Sequence, residues 1–442
     1  MPDPLLLDLF QRLGLALATG LLFGLVPALR TSRLDISSSL RDASRTLGAI
    51  SGQKTRNVLV AAEVALALTL LSGAGFTMKA FSRLASMDTG FDAANVLTMG
   101  VTLPFARYGQ ESAQAGFFST LLSRAQAVPG VLKAGLVSHV PLAPGNATDG
   151  VVFEGRPEVE RPPEADYRVA SAGYFEAVGA RMVQGRSFAD SDTEGSVRVL
   201  IINEAFARRL FPAENPVGRR VRFSGPIENN PWREIVGVVA DLRHDLNRSP
   251  RPETYIPFTQ GAMGTMFLIA KTRGDALGMA PALREAVLAI DPNQPVWAVR
   301  TLGDVKDRAM AAFRAMVTLV GAFGSMALLL SAIGIFGVVS FLVSTRTPEI
   351  GLRMALGASA RDVVGMILAQ ALRPLAVGVA LGAAGALALG RVLSTAFPEV
   401  GSADPSALLA TIAILTLVSA LATWLPARRA ASITPTQALR AD

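Results

Sequence analysis

One stretch of this chain constrains its fold more than any other, because residues 315–343 are 29 consecutive residues without a charge. A helix that crosses the hydrocarbon core of a bilayer needs about 20 mainly apolar residues. The composition agrees with such a helix, since half of the 442 residues are hydrophobic and only 17% are charged. The mean hydropathy of +0.39 is high for a wholly soluble protein. These values predict a membrane protein with one soluble insertion.

Apolar runs predict five membrane spans, at residues 1–30, 57–80, about 315–343, about 363–397 and about 405–427. Lys and Arg residues cluster beside these spans, in a basic linker (31–56), in a loop (344–362) and in the C-terminal tail. Cytoplasmic segments of membrane proteins carry an excess of Lys and Arg. These three segments are therefore predicted to be cytoplasmic, which leaves residues 81–312 outside. Membrane orientation also accounts for the net charge of +7, so nucleic acid is not a predicted partner.

Residues 81–312 are predicted to form an α+β domain. Strands are predicted at 95–104, 130–140, 233–242, 265–274 and 295–302, and helices at 110–127 and 275–290. Two strand–helix–strand units would form a split core, interrupted by an insertion at about 145–230. The predicted fold class is an α-helical multi-pass membrane protein whose extracytoplasmic α+β domain has two lobes, the split core and the insertion.

The sequence shows no evident catalytic or metal-binding motif. It has no cysteine, which excludes thiolate ligands and cysteine nucleophiles. His139 and His244 lack the spacing of zinc ligands. Ser138 and His139 are adjacent, and neighbours on a strand point to opposite faces. The acidic cluster around Asp190 and Asp192 lacks a complete calcium loop and is predicted to be a solvated turn.

The stretch GAISGQKT (48–55) fails as a phosphate-binding loop. That motif needs four residues between its glycines, followed directly by Gly-Lys-Ser/Thr. Here three residues separate Gly48 from Gly52, and Gln53 intervenes before Lys54. The chain is therefore not expected to be an enzyme, and neither a cofactor nor a metal is predicted.

The stretch PEIGLRMALGASARDVV (348–364), between two apolar runs, predicts a short charged helix. Pro348 suits a first helical turn, and Glu349 complements the positive end of the helix. Gly357 is predicted to end this helix and Ser359 to cap the next one.

The same stretch predicts an amphipathic helix. Ile350, Met354 and Gly357 fall on one face, with Leu352 and Leu356 on an adjacent face. An apolar face must be covered by something. From the pattern alone, a groove on a partner protein and the lipid surface are equal alternatives.

One internal repeat links the two ends of the chain. VPALRTSRLDISSSLRD (26–42) aligns without gaps on LPARRAASITPTQALRA (425–441), with five identities. Each copy follows an apolar span on the same predicted side. The repeat predicts that the chain begins with the last span of one unit and continues with a complete second unit.

The chain resembles the MacB/FtsX-like permeases of ABC transporters. The resemblance rests on PEIGLRMALGASARDVV (348–364) and on SAGYFEAVGARMVQGRSF (171–188), VLIINEAFARRLFPAENPVGRRVRF (199–223) and EIVGVVADLRHD (234–245). It implies a MacB-like periplasmic core domain at 81–312 and an FtsX-like permease domain at 313–442. The repeat favours the subgroup with a duplicated permease, of which this chain would be a C-terminal fragment.

The resemblance implies that loop 344–362 couples the membrane spans to a separate ABC ATPase. The implied ATPase-coupling residues are Glu349, Ile350, Gly351, Leu352, Arg353, Met354, Leu356 and Gly357. It also implies a bacterial inner-membrane location, a second permease unit, either a dimer partner or a missing N-terminal half, and a periplasmic or outer-membrane partner.

The resulting functional hypothesis is a permease subunit of an ABC-type exporter or of a mechanotransmission complex. Two alternatives stay open. The chain could be a non-transporting scaffold that regulates a periplasmic partner such as a cell-wall hydrolase, or an inactive permease fragment. The sequence does not identify a substrate.

Overall fold

The computed structural model describes residues 45–157, 159–226, 230–345, 347–396 and 405–431. The first predicted span (1–30), the linker up to residue 44 and the first copy of the repeat lie outside the described residues. In chain order the helices are α1 (Arg45–Ala85), α2 (Phe105–Tyr108), α3 (Glu111–Ala127), α4 (Tyr174–Ala177), α5 (Glu204–Leu210), α6 (Ala280–Leu288), α7 (Leu302–Ala309), α8 (Ala311–Thr345), α9 (Thr347–Ala355), α10 (Ala360–Ala396) and α11 (Pro405–Ala431).

Four of the described helices, α1, α8, α10 and α11, are long and apolar enough to cross a membrane. Helix α1 has 41 residues, which at about 1.5 Å per residue gives about 60 Å, or about twice the hydrocarbon thickness. It begins at Arg45, inside the predicted linker, and ends at Ala85, beyond the predicted span. No proline interrupts it, so the helix continues past the apolar segment at its ends.

The strands form one sheet in which eleven strands take part. They are β1 (Val96–Thr102), β2 (Val131–Val137), β3 (Thr148–Phe153), β4 (Glu164–Ala170), β5 (Met182–Gly185), β6 (Val199–Asn203), β7 (Arg220–Phe223), β8 (Arg233–Val239), β9 (Glu253–Pro257), β10 (Thr265–Thr272) and β11 (Val296–Thr301).

The first lobe of the sheet has the strand order β11-β1-β10-β2, with every neighbouring pair antiparallel. The units β1-α3-β2 and β10-α6-β11 are thus interleaved. Strand β10 lies between the two strands of the first unit, and β1 lies between the two strands of the second. This is the split β-α-β arrangement. The two units are separated in the chain by the whole second lobe.

The second lobe is a closed ring of six strands. The pairings run β4-β3, β3-β7, β7-β8, β8-β6, β6-β9 and β9-β4. Ring closure leaves these strands without a free edge. Strands β8 and β9 belong to the ring, so it extends to Pro257, beyond residue 230, where the sequence placed the end of the insertion.

Two hydrophobic clusters cover the two faces of this sheet. The first contains the buried sides of α3 and α6 and continues into the ring through residues such as Val169, Ile202 and Ile256. The second contains Tyr174, Phe175 and Tyr255 together with residues from the end of α1 and the start of α8.

Contacts divide the chain into two compact units. Among the described residues, the loop unit contains 45–63, Gly334–Gly378 and 425–431. The sheet unit contains Val64–Ile333 and Val379–Trp424. Helix α9 and the turn after it belong to the loop unit, and the whole sheet belongs to the sheet unit.

Candidate functional site

Helix α9 ends in a turn that fixes its length. Gly357 has a φ of 101°, a conformation that glycine adopts without steric cost. The Gly357 N–H donates to the Met354 carbonyl at 3.1 Å, and the Ala358 N–H donates to the Arg353 carbonyl at 3.0 Å. These two bonds make a Schellman motif. The predicted helix end at Gly357 is confirmed.

The next helix, α10, begins with a reciprocal cap. The Asp362 N–H donates to Ser359 Oγ at 3.3 Å, and the Ser359 N–H donates to Asp362 Oδ2 at 3.0 Å. This capping box satisfies two backbone donors at the start of the helix. The predicted cap at Ser359 is confirmed, and only four residues separate α9 from α10.

The apolar side chains of α9 and the turn after it divide into inward and outward groups. Ile350 is 1% exposed, whereas Leu352 is 55% exposed and Leu356 is 80% exposed. Leu352 and Leu356 are four residues apart, the spacing that places two side chains on one side of a helix. We call these two residues the leucine pair.

The charged side chains of α9 form a local ion pair. Arg353 Nη2 lies 2.7 Å from Glu349 Oε1, one helical turn away. Pairs of this spacing add a few tenths of a kcal/mol to an exposed helix. Met354 is half-buried. Of the predicted coupling residues, Ile350 therefore anchors the helix, and the leucine pair is its presented apolar surface.

The loop unit also holds a carboxylate between two apolar helices. Glu63 of α1 lies against Gly334 of α8, where an added Cβ would overlap Glu63 Oε2. That oxygen is buried and has no hydrogen-bond partner among the described residues. The guanidinium of Arg56 lies over the ring of Phe341, 3.7 Å from its centroid. Because glycine has no side chain, position 334 leaves space for the Glu63 carboxylate.

In the sheet unit, the end of α1 and the start of α8, two membrane-capable helices, pack in the hydrophobic core of the sheet. Ala80 and Leu84 at the end of α1, and Met310 and Phe313 around the start of α8, belong to the same buried cluster as the sheet residue Tyr255. A displacement of either helix end therefore acts on close-packed side chains of the domain.

The sheet unit contains a buried network of polar side chains around Glu253. Arg168 Nε donates to Glu253 Oε1 at 2.6 Å, and the Tyr255 hydroxyl donates to Oε2 at 2.6 Å. His244 Nε2 lies 3.0 Å from Oε1. Burial alone would raise the pKa of the Glu253 carboxyl, but His244 and Arg168 outweigh burial and hold this pKa at about 2.

Both histidines of the chain lie near this network, although they are 105 positions apart in sequence. Burial lowers the pKa of His139, and the charges of Arg168 and His244 lower it further. His139 Nδ1 lies 3.0 Å from Ser138 Oγ. The expectation that Ser138 and His139 point apart was wrong, because β2 ends at Val137 and the alternation of a strand no longer applies.

Ser138 and Asp192 have structural roles. Ser138 is 4% exposed, and its Oγ accepts a hydrogen bond from the Val169 N–H at 3.0 Å. Asp192 accepts two hydrogen bonds from Arg186, at 2.7 and 2.8 Å. The sequence predicted a solvated turn here, but Asp192 is buried. Neither residue is positioned as a nucleophile or a metal ligand by these contacts.

Two family models match this chain. Residues 13–285 match the MacB-like periplasmic core domain, and residues 321–435 match the FtsX-like permease C-terminal domain. The macrolide export ATP-binding/permease protein MacB of Bartonella henselae is 28% identical over 293 residues, which are 63% of this chain and 43% of that protein. MacB of Escherichia coli strain K12 is 28% identical over 281 residues, covering 61% and 42%. The chain thus spans about two fifths of the length of these curated relatives.

Two solved structures are also similar. The periplasmic region of MacB from Actinobacillus actinomycetemcomitans aligns with a TM-score of 0.35 and 15% identity, over 51% of this chain and 97% of that one. The extracellular domain of the noncanonic ABC-type transporter YknZ from Gram-positive bacteria aligns with a TM-score of 0.32 and 16% identity, over 47% of this chain and 100% of that one.

Proposed function

This chain belongs to the family of proteins with a MacB-like periplasmic core domain and an FtsX-like permease domain, and we propose that it is a permease subunit of an ABC-type exporter or mechanotransmission complex. The observation that carries the proposal is the leucine pair. It is an apolar surface exposed on a helix whose end is fixed by the Gly357 turn.

The leucine pair is the docking surface for an ABC ATPase. Full burial of a leucine side chain contributes about 1.5–3 kcal/mol, so two leucines supply a useful share of a docking energy. Ile350, the Gly357 turn and the Ser359–Asp362 cap restrain α9 and its connection to α10, so that a push on α9 moves the adjoining helices rather than bending a loop. Movement of the ATPase on nucleotide binding would thereby reach the spans.

ATP hydrolysis then belongs to a separate subunit. The relatives are named as ATP-binding/permease proteins, whereas the stretch GAISGQKT lacks the spacing of a phosphate-binding loop. A single permease unit would need a second one, in a dimer or from a duplicated chain, to serve a symmetric ATPase pair.

The membrane-capable helices and the MacB-like domain support a membrane protein with a periplasmic-type domain. We place it in the bacterial inner membrane, with the sheet on the periplasmic side and α9 in the cytoplasm. The packed ends of α1 and α8 favour transmission of motion to the sheet domain, where a periplasmic or outer-membrane partner would receive it.

The test is recovery of the ATPase with variant permeases from gently solubilised membranes. Leu352→Asp places a carboxylate in the docking contact, so the co-purified ATPase activity is expected to fall roughly tenfold or more. Leu277→Asp is the matched control, because Leu277 is an exposed leucine of the sheet unit. It should retain wild-type recovery.

The bound proteins are identified by mass spectrometry and checked for a nucleotide-binding motif. Equal amounts of each permease in the membrane fraction show that insertion is unchanged. Wild-type ATPase recovery by Leu352→Asp would remove the docking role of the leucine pair. If the wild type itself recovers no ATPase, the permease function fails and the scaffold alternative takes its place.

A further inference from the structure

Two arginines are neighbours at one end of the ring. Arg233 is the first residue of β8. Val199, the first residue of β6, pairs in parallel with Glu234, and the Glu234 N–H donates to the Arg198 carbonyl at 2.8 Å. Arg198 and Arg233, each one position earlier, are therefore adjacent across the two strands. Adjacent residues of paired strands lie on the same face of a sheet.

This face is the one that carries the first hydrophobic cluster. Leu200 and Ile235 lie two positions further along the two strands, pair with each other and belong to that cluster. Residues two apart on a strand share a face. Arg233 is only 7% exposed, and Arg198 is half-buried. Two positive charges are thus held close together where little water screens them.

The buried guanidinium of Arg233 lacks partners within the part of the chain that the structure describes. Its Nε and Nη1 atoms are both buried and make no hydrogen bond there. Burial lowers the pKa of Arg233, and the charge of Arg198 lowers it further, against the opposing effects of Tyr167 and Glu111. Buried donors are normally bonded, because an unmet donor costs free energy. The site therefore needs acceptor atoms and negative charge.

Arg198 is held in position by a buried glutamine. Its Nη1 donates to the Gln260 carbonyl at 2.7 Å. The Gln260 side chain accepts from the Val199 N–H at 2.9 Å and donates to the Val197 carbonyl at 2.9 Å. Gln260 is 3% exposed, so this anchor is rigid. The bond to Gln260 uses only one of the N–H donors of Arg198.

A tyrosine hydroxyl adds a further donor near Arg233. Tyr167 of β4 packs edge-on against Phe223 of β7, with ring centroids 4.9 Å apart. Burial raises the pKa of Tyr167 to about 12, and the charge of Arg233 opposes this rise. The hydroxyl therefore keeps its proton at neutral pH and is able to donate it in a hydrogen bond.

We propose that Arg233 and Arg198 bind a small oxyanion, the carboxylate or phosphate group of a soluble molecule, at this end of the ring. Guanidinium groups present planar sets of N–H donors that match the oxygens of such a group. The anion supplies acceptors to Arg233 and offsets the repulsion between the two cations. Because Arg233 is only 7% exposed, the site favours a small anion over a protein surface. It is independent of ATPase docking at α9.

The test measures the unfolding temperature of the full chain in detergent, followed by tryptophan fluorescence. Sodium phosphate and sodium acetate are each compared with sodium chloride at equal ionic strength. A ligand that binds only the folded state raises the unfolding temperature as its concentration rises. With about 20 mM phosphate or acetate, the wild type is expected to unfold at least about 3 °C higher than in chloride. The more effective anion identifies the preferred group.

Arg233→Met removes the buried cation and keeps an apolar chain. In chloride it should unfold at the same temperature as the wild type or higher, because an unpaired buried charge is lost. Its gain in phosphate or acetate should shrink to the unspecific effect that these salts have on any protein.

Arg222→Met is the matched control. Arg222 of the neighbouring strand β7 is also 7% exposed, but it donates to the carbonyls of Phe223 and Gly225 at 3.2 and 2.9 Å. Its loss should lower the unfolding temperature in chloride and leave the gain from the anion intact. Arg198→Gln changes a half-buried position and should raise the anion concentration needed for the half-maximal gain about tenfold.

The proposal is overturned if neither anion stabilises the wild type more than Arg233→Met, or if Arg198→Gln responds as the wild type does. Glu228, in the turn between β7 and β8, lies outside the described residues. Glu228→Gln tests whether a carboxylate of this chain occupies the site. A gain found only in Glu228→Gln would also overturn the proposal, because the occupant would then be the chain itself.

Discussion

At the scale of single residues, the sheet unit depends on one buried charge cluster that sequence reasoning could not assemble. Arg168 and Glu253 are 85 positions apart, and they meet because β4 and β9 pair in parallel within the ring. Local patterns report the neighbours of a residue along the chain, whereas this contact depends on ring closure. His244 stands out in the sequence as one of only two histidines. The sequence does not show that it lies beside Glu253.

Removing the acid of this cluster is expected to destabilise the sheet unit. Glu253→Gln leaves Arg168 buried without a counter-charge, and breaking a buried pair costs about 3–5 kcal/mol. Urea unfolding of the detergent-solubilised chain, followed by tryptophan fluorescence, measures the change. Glu214→Gln breaks exposed ion pairs at 3.4 and 3.6 Å and should cost no more than about 1 kcal/mol. Equal effects of the two substitutions would contradict the role of the network.

The same carboxyl predicts a dependence on pH. Glu253 has its pKa lowered from 4.5 to about 2 in the folded protein. The unfolded chain therefore takes up this proton first as the pH falls. The stability that the ionised carboxylate contributes is complete above pH 4.5 and is lost between pH 4.5 and about 2.

The measurement is the difference in unfolding free energy between the wild type and Glu253→Gln across that window. The difference is expected to narrow as the pH falls, because the amide does not titrate while the acid does. A constant difference from pH 5 to about 2 would mean that Glu253 does not titrate in this way.

At the scale of elements, the short helix was predictable and the ring was not. The end of α9 at Gly357 and the cap at Ser359 follow from residue types whose backbone preferences act within a few positions. Strands β1, β2, β10 and β11 carry clear β patterns. The ring needs partners such as β4 and β9, or β3 and β7, that are distant in sequence, and short local patterns do not specify such pairings.

Close packing between α1 and α10 gives an element-scale prediction. A Cβ added at Gly382 would lie 2.8 Å from both the Ala65 carbonyl oxygen and the Leu68 Cβ. Thr69 Oγ1 also donates to the Gly382 carbonyl at 3.3 Å. Small residues allow membrane helices to approach at such distances. Gly382→Leu is therefore expected to destabilise the chain by about 1–3 kcal/mol.

Thermal unfolding in detergent tests this expectation. Gly321→Leu is the control, because an added Cβ at Gly321 of α8 meets no atom within 4 Å. Both substitutions gain helix propensity equally, so the difference between their unfolding temperatures reports the α1–α10 contact. A Gly382→Leu variant as stable as Gly321→Leu would show that the two helices do not pack closely there.

At the scale of the whole molecule, the order of spans and soluble segments was the most predictable property, because the bilayer fixes the length of an apolar helix. The described part of the chain has membrane-capable helices where four of the five spans were predicted. The run of 29 uncharged residues at 315–343 already exceeds the length that a bilayer requires. The extension of α1 at both ends was less accessible, because polar residues at a span end do not reveal whether the helix stops. That continuity is the basis of the mechanical hypothesis.

If α8 transmits motion, a break in it should separate ATPase docking from the response of the sheet unit. Leu329 is an exposed residue of α8. Leu329→Pro removes one backbone hydrogen bond and kinks the helix, whereas Leu329→Ala keeps the helix and removes a similar side-chain surface. The chain has no cysteine, so Ala309→Cys provides a single label site at the junction of α7 and α8.

The rate of maleimide labelling at this cysteine is measured with the ATPase bound, with and without a non-hydrolysable nucleotide. In the Ala309→Cys chain and in its Leu329→Ala derivative, nucleotide should change the rate about threefold or more, equivalent to a shift of roughly 0.7 kcal/mol between two states. In the Leu329→Pro derivative, the ATPase should still co-purify and the nucleotide effect should disappear. Persistence of the effect would mean that motion reaches the sheet unit without α8, which would leave α1 as the element to break next.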